Sequence, residues 1–136
     1  MERLERIFKE ASLRAVIFSK DKLGIKLDFS EESLDYLDDI LEVFHKANEN
    51  NQFDNDKILD LSMTFGGYLG EVISKNIGGV WEENDGKTIF LEVNNNKVLP
   101  LNIVYKRINI GERASIKRWY IKFKESKWFN LLQFIW

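Results

Sequence analysis

Apolar residues recur along the first half of the chain with the period of helices. Leu4, Ile7, Phe8, Ala11, Ala15 and Phe18 keep the i, i+3, i+4, i+7 spacing of one buried stripe, which predicts a helix over 2–18. Asp21 and Gly24 supply turn signals after it. Ser30 is placed as an N-cap, with Glu31 and Glu32 in the first turn, where the helix dipole favours anions. That second helix is expected to run to about Ala47, with Leu34, Leu37, Leu41 and Phe44 as its central stripe and Tyr36 and Ile40 beside them. The Asn-rich stretch 48–56 reads as a loop. A third helix is expected from Asp54–Asp56 to about Asn76, carried by Ile58, Leu61, Phe65, Leu69 and Val72.

Gly66, Gly67 and Gly70 lie inside that third pattern. Each costs about 1 kcal/mol relative to alanine in a helix interior, so something must offset them. Their flank carries almost no side chain, and another element could approach it closely. Gly78-Gly79 then ends the helix.

The period changes after Gly79. Val80-Trp81-Glu82 and 87–93 read as strands joined by Asn84-Asp85-Gly86, a strong hairpin signal. Asn94-Asn95-Asn96 is a second turn and Lys97-Val98-Leu99 a short third strand. Residues 100–110 carry two patterns. Pro100 suits a helix start, and Leu101, Val104, Tyr105 and Ile108 keep the helical period, whereas the β-branched content favours a strand. The helix is the preferred reading, with Gly111 as its stop. A last helix is expected over 112–125, with Ile116, Trp119, Tyr120 and Phe123 inward and Arg113, Lys117, Arg118, Lys122 and Lys124 on its polar faces. The tail, 126–136, is unusually apolar, and packing into the core is its preferred reading. The expected fold is therefore α+β: N-terminal helices packed on a small antiparallel β-meander of about three strands, closed by C-terminal helices. The whole chain, 1–136, fits one domain.

Composition narrows the chemistry. With 44% hydrophobic residues the chain can bury a sizeable core, and it has no cysteine, which excludes disulfides and a thiolate nucleophile. The charged start lacks an apolar signal core, and no run approaches the ~20 apolar residues of a membrane span, so a cytoplasmic location and no membrane span are expected. The abundance of Asn, Lys and Ile resembles the usage of an AT-rich bacterial genome.

The net charge of −2 hides a split. Residues 28–60 hold eleven acids and two bases, a local net of −9; residues 97–127 hold nine bases and two acids, a local net of +7. Along the second helix Asp38, Glu31, Glu42, Asp35, Asp39 and Glu32 fall, in that order, within about a third of the circumference at about 100° per residue. Like-charge i, i+4 pairs among them cost about 0.2–0.5 kcal/mol each in an isolated helix. Such a face either pairs with the basic C-terminal third or meets a basic partner, whose association it would steer. Glu31, Asp35, Asp38, Asp39 and Glu42 are the candidate binding residues.

The other constellations are weaker. The glycine run does not match the spacing of a phosphate loop and follows a helical pattern. His45 borders an apolar stripe and has no serine in a nucleophile setting. The acidic face has no EF-hand spacing; no metal, cofactor or catalytic residue is expected. Glu71, near Trp81, is a secondary candidate as a carboxylate base. Trp119 and Tyr120 on a basic helix invite a nucleic-acid reading, but they fall on its apolar stripe and the chain is mildly acidic, so nucleic acid is not favoured.

The run Phe65-Gly66-Gly67-Tyr68-Leu69-Gly70-Glu71-Val72-Ile73, then Gly78-Gly79-Val80-Trp81, resembles a small bacterial domain family of unknown function. Its members carry a Gly-x-Tyr-Leu-Gly-Glu-Val helix followed by Gly-Gly-x-Trp. Pro100, Val104-Tyr105-Lys106-Arg107 and Gly111 extend the likeness, which covers about 30–122 and leaves out the N-terminal helix and the apolar tail. The resemblance implies no activity. The function expected from the residues is non-enzymatic protein binding in a bacterial cytoplasm, in its most concrete form an immunity-type inhibitor whose acidic helix covers a basic toxin. The alternative is a small enzyme or ligand-binding domain using carboxylates such as Glu71 near Trp81. Partner identity and oligomeric state do not follow from the residues.

Overall fold

The computed structural model describes the backbone of residues 2–135 and the side chains of residues 3–126. Five α-helices and a three-stranded sheet follow one another as α1 (Glu2–Leu23), α2 (Ser33–Glu49), α3 (Asn55–Asn76), β1 (Val80–Asn84), β2 (Thr88–Val93), β3 (Asn96–Val98), α4 (Pro100–Ile110) and α5 (Ile116–Ile135), with a short 3₁₀ turn, Glu112–Ala114, before α5. The fold is α+β, with helices on both sides of the meander in sequence. Among the described residues no helix is long and apolar enough to cross a membrane. The side chains of the apolar tail lie outside those described.

Helix α3 is the axis of the molecule. It packs mainly on α1 and α4, while α2 packs on α4 and α5. Its three interior glycines each admit a different neighbour. A Cβ on Gly66 would lie 2.7 Å from the Cα of Leu101 in α4, and one on Gly67 would lie 3.0 Å from the Cβ of Ala11 in α1. A Cβ on Gly70 would lie 2.1 Å from the indole of Trp81 in β1. The bare flank expected from the sequence is thus a docking face for three elements. Close packing on all sides offsets the propensity cost of the glycines.

The sheet is an antiparallel meander in the order β1-β2-β3. Asp85 and Gly86 both take positive φ (51° and 67°), and the Lys87 N–H donates to the Asn84 carbonyl at 3.0 Å. This is the turn whose twist suits a hairpin. Asn94 and Asn95 repeat the device between Val93 and Asn96. Trp81 leaves the sheet to stack on Phe8 of α1, ring centroids 4.1 Å apart, and so ties the meander to the helices.

Three helices differ in their bounds from the sequence expectation, among them α5, which begins at Ile116 after the 3₁₀ turn and runs to Ile135 instead of spanning 112–125. Helix α1 continues to Leu23 rather than stopping near Phe18. Helix α2 begins at Ser33, because the preceding turn is closed by i→i+3 bonds from Ser33, Leu34 and Asp35 to the carbonyls of Ser30, Glu31 and Glu32. Ser30 still acts as a cap: its Oγ accepts from the Ser33 N–H at 3.1 Å. The ambiguous stretch 100–110 is helical, with Pro100 in the first turn.

Candidate functional site

The acidic arc, formed by α2 and the turn that leads into it, is divided by its neighbours. Asp38, at one edge, is held from four directions. Its Oδ1 accepts from Arg107 Nε at 3.0 Å and from the Ile116 N–H at 2.9 Å; its Oδ2 accepts from Ser115 Oγ and the Lys117 N–H, both at 3.0 Å. The carboxylate therefore caps α5 from another helix. It satisfies the first two orphan N–H groups, while Ser115 Oγ accepts the third from Arg118 at 3.3 Å.

Arg107 is the counterpart. It is 3% exposed, and it donates to Asp38 Oδ1, to Glu42 Oε1 at 3.0 Å and to the Asp38 carbonyl at 3.2 Å. A guanidinium so buried needs such partners, because an unpaired buried charge is severely penalised.

The rest of the arc follows. Glu31 accepts from Lys124 Nζ at 2.6 Å and from the Tyr120 hydroxyl. These two hydrogen bonds, Lys124 first, hold its carboxyl below the usual range. Burial, and then the hydrogen bond to Glu31, push the Tyr120 phenol up. Asp35 pairs with Lys117 at 2.7 Å in a half-exposed contact. Asp39 and Glu32, at the far edge, are exposed and make no ion pair among the described residues.

The candidate binding residues are thus not equivalent. Glu31, Asp35, Asp38 and Glu42 meet Lys124, Lys117 and Arg107, all from beyond position 97, and only Asp39 of the five keeps an unpaired outward carboxylate. Of the two outcomes open to the acidic face, pairing with the basic C-terminal third holds for these four residues, and the reading of all five as an outward binding face is corrected to Asp39 alone. The physical reason is that α4 and α5 cross the low-angle side of the arc and need carboxylates there.

The secondary candidates serve packing. Trp81 is 2% exposed, and its Nε1 donates to Glu71 Oε2 at 3.3 Å. Glu71 satisfies a buried indole N–H that would otherwise be orphaned. His45 donates from Nδ1 to the Ile108 carbonyl at 2.7 Å, covering one of the free carbonyls at the end of α4. It also lies so close over Gly111 (φ 94°) that a Cβ there would come within 2.6 Å of Nε2.

One open concavity of the surface is cationic. α5 splits its bases into two rows about 100° or more apart: Lys117 and Lys124 face α2, while Arg118 and Lys122 point the other way. With Lys106 of α4 and Arg113 of the 3₁₀ turn, the second row rims a cleft of about 590 Å³, with Ile103 and Trp119 in its walls. No acidic side chain lines it among the described residues, and none of the four bases is in an ion pair there. Arg118 is oriented by donating to the Glu112 carbonyl. Trp119, expected on the buried stripe, is only partly buried and is stacked with Phe123, centroids 5.2 Å apart. Tyr120 is buried as expected.

The chain matches no protein-family model, and comparison with curated proteins and with solved structures finds no match.

Proposed function

We propose that the protein is a non-enzymatic binding domain whose working surface is the cationic cleft between α4 and α5, and that it captures an anionic partner there. One observation carries the reading. Lys106, Arg113, Arg118 and Lys122 converge on one concavity with no acidic side chain among its described lining residues. Like charges held together repel, so an unneutralised cluster in a cleft is a focused field for counter-charge. The volume falls in the ~300–1,000 Å³ range of small-ligand sites. The proposal includes a cytoplasmic location in a bacterium, with which the cysteine-free composition is compatible.

The test is retention on an immobilised polyanion such as heparin. Charge reversal at Arg113, Arg118 and Lys122 should move elution to much lower salt. Reversal of Lys9 and Arg14, exposed on α1, should move it little. Equal elution of the two triple- and double-reversed variants would overturn the proposal.

The immunity-type reading is kept as a second proposal because Glu32 and Asp39 are exposed and unpaired among the described residues. A basic toxin would be met by this far edge of the arc. Charge reversal at Glu32 and Asp39 tests it without touching Asp38; unchanged affinity for such a partner would remove it. The resemblance to the uncharacterised bacterial family stays part of the proposal. Its motif residues Gly66, Gly67, Gly70 and Trp81 are packing residues here, so the proposed likeness is one of fold.

A further inference from the structure

We infer that the α4/α5 cleft binds a nucleotide unit, with its phosphate on the bases of the rim and its ring against Trp119. The inference rests on the anion-binding reading above and deepens it.

Three features of the cleft select this chemistry among anions. Two of its four bases are arginines, Arg113 and Arg118, whose planar donor forks match phosphate oxygens. Arg118 and Lys122 are one helical turn apart, about 6 Å, and so could grip two oxygens of one phosphate or two neighbouring phosphates. Beside these bases the cleft has an aromatic wall: Trp119 lines it and is backed by Phe123, their ring planes 9° apart. A cationic rim beside an aromatic plate is the pairing that single-stranded nucleic acid and free nucleotides use, since every base has a π-face. An acidic peptide would use the rim and leave the plate idle. The cleft, about 590 Å³, suits a nucleotide or two rather than a duplex. The overall acidity of the chain is no obstacle at this place, because three acids of α2 and Glu31 of the turn before it are engaged by the other row of bases and by Arg107.

The experiment is fluorescence anisotropy of a short labelled single-stranded oligonucleotide titrated with the full chain, followed by competition. Two neutralised phosphates would give a log–log salt slope of about −1.4, a loss of about 7-fold between 50 and 200 mM salt. Trp119→Ala should weaken binding by about 5- to 150-fold, and Trp119→Phe by much less. Arg118→Gln with Lys122→Gln, both exposed, should weaken it without unfolding the chain. A bound base should also quench tryptophan emission in the native protein and not in Trp119→Phe, a signature that a packing role for Trp119 would not produce. Competition by a mononucleotide at comparable site occupancy identifies a free nucleotide as the ligand; competition only by longer strands identifies a single strand. Equal competition by oligo-aspartate or by pyrophosphate at matched charge would overturn the inference while leaving the anion-binding reading in place. So would absent oligonucleotide binding at 50 mM salt in a protein still retained on heparin through the cleft. Loss of both would remove both.

Discussion

Gly70 decides where Trp81 can lie. The indole occupies the space a β-carbon would fill, 2.1 Å from its ideal position, and from there it stacks on Phe8 and donates to Glu71. Helix propensity alone would make Gly70→Ala stabilising by about 1 kcal/mol. The ring in the way reverses the sign, and overpacking should cost about 1–3 kcal/mol. Urea denaturation checks this; a higher midpoint for Gly70→Ala would contradict the packing described. Single residues of this kind were partly legible in the sequence. Three glycines in a helical pattern announced close approach, although not which element came near. Arg107 carries a signal in the sequence: it falls among Val104 and Ile108 on the buried side of α4, where an arginine needs carboxylates. The His45 contact with Gly111 carried none, because it depends on how α2 and α4 cross.

At the scale of elements, α2 and α5 are joined by a polar seam. Glu31 accepts from Lys124 and Tyr120, Asp35 from Lys117, and Asp38 caps the first turn of α5. The Glu31 carboxyl is depressed in the folded protein. Its contribution to stability is therefore fully present above the unfolded value of about 4.3 and is lost as pH falls through the folded value. The Tyr120 phenol is raised, so its contribution is full below about 10 and fades as pH rises beyond it. Denaturation from pH 6 down to pH 2 should show a steeper loss of stability in the native chain than in Glu31→Gln. Parallel curves would contradict the seam. Elements were the most legible level of this chain, because the apolar periods and turn residues are strong. The exceptions have local causes: Ser30 caps a 3₁₀ turn ahead of α2, and Ser115 could not be read as a cap while 112–125 looked like one helix.

Over the whole molecule, the two opposed halves of charge were plain in the sequence, but how they meet was not. Periodicity gave the arc of α2 and the faces of α5 without saying which side each turns inward. The fold spends one row of α5 bases and Arg107 on the near side of the arc, and leaves Glu32 and Asp39 outside on one surface and the cationic cleft on another. Both functional proposals depend on that division. Asp38 and Asp39 are neighbours on one helix with the same side chain, and the division assigns them opposite fates. Asp38 is 16% exposed in its side chain and accepts four hydrogen bonds, whereas Asp39 is exposed and accepts none among the described residues. The most direct measurement is therefore the unfolding free energy of Asp38→Asn beside that of Asp39→Asn, in urea at neutral pH. Asp38→Asn should lose about 2–4 kcal/mol, since it removes a charge from a largely buried pair and acceptors from a helix cap, and Asp39→Asn should stay within about 0.5 kcal/mol of the native chain. Equal, small changes at both positions would mean that α2 does not spend its acids inside, and the division would fall.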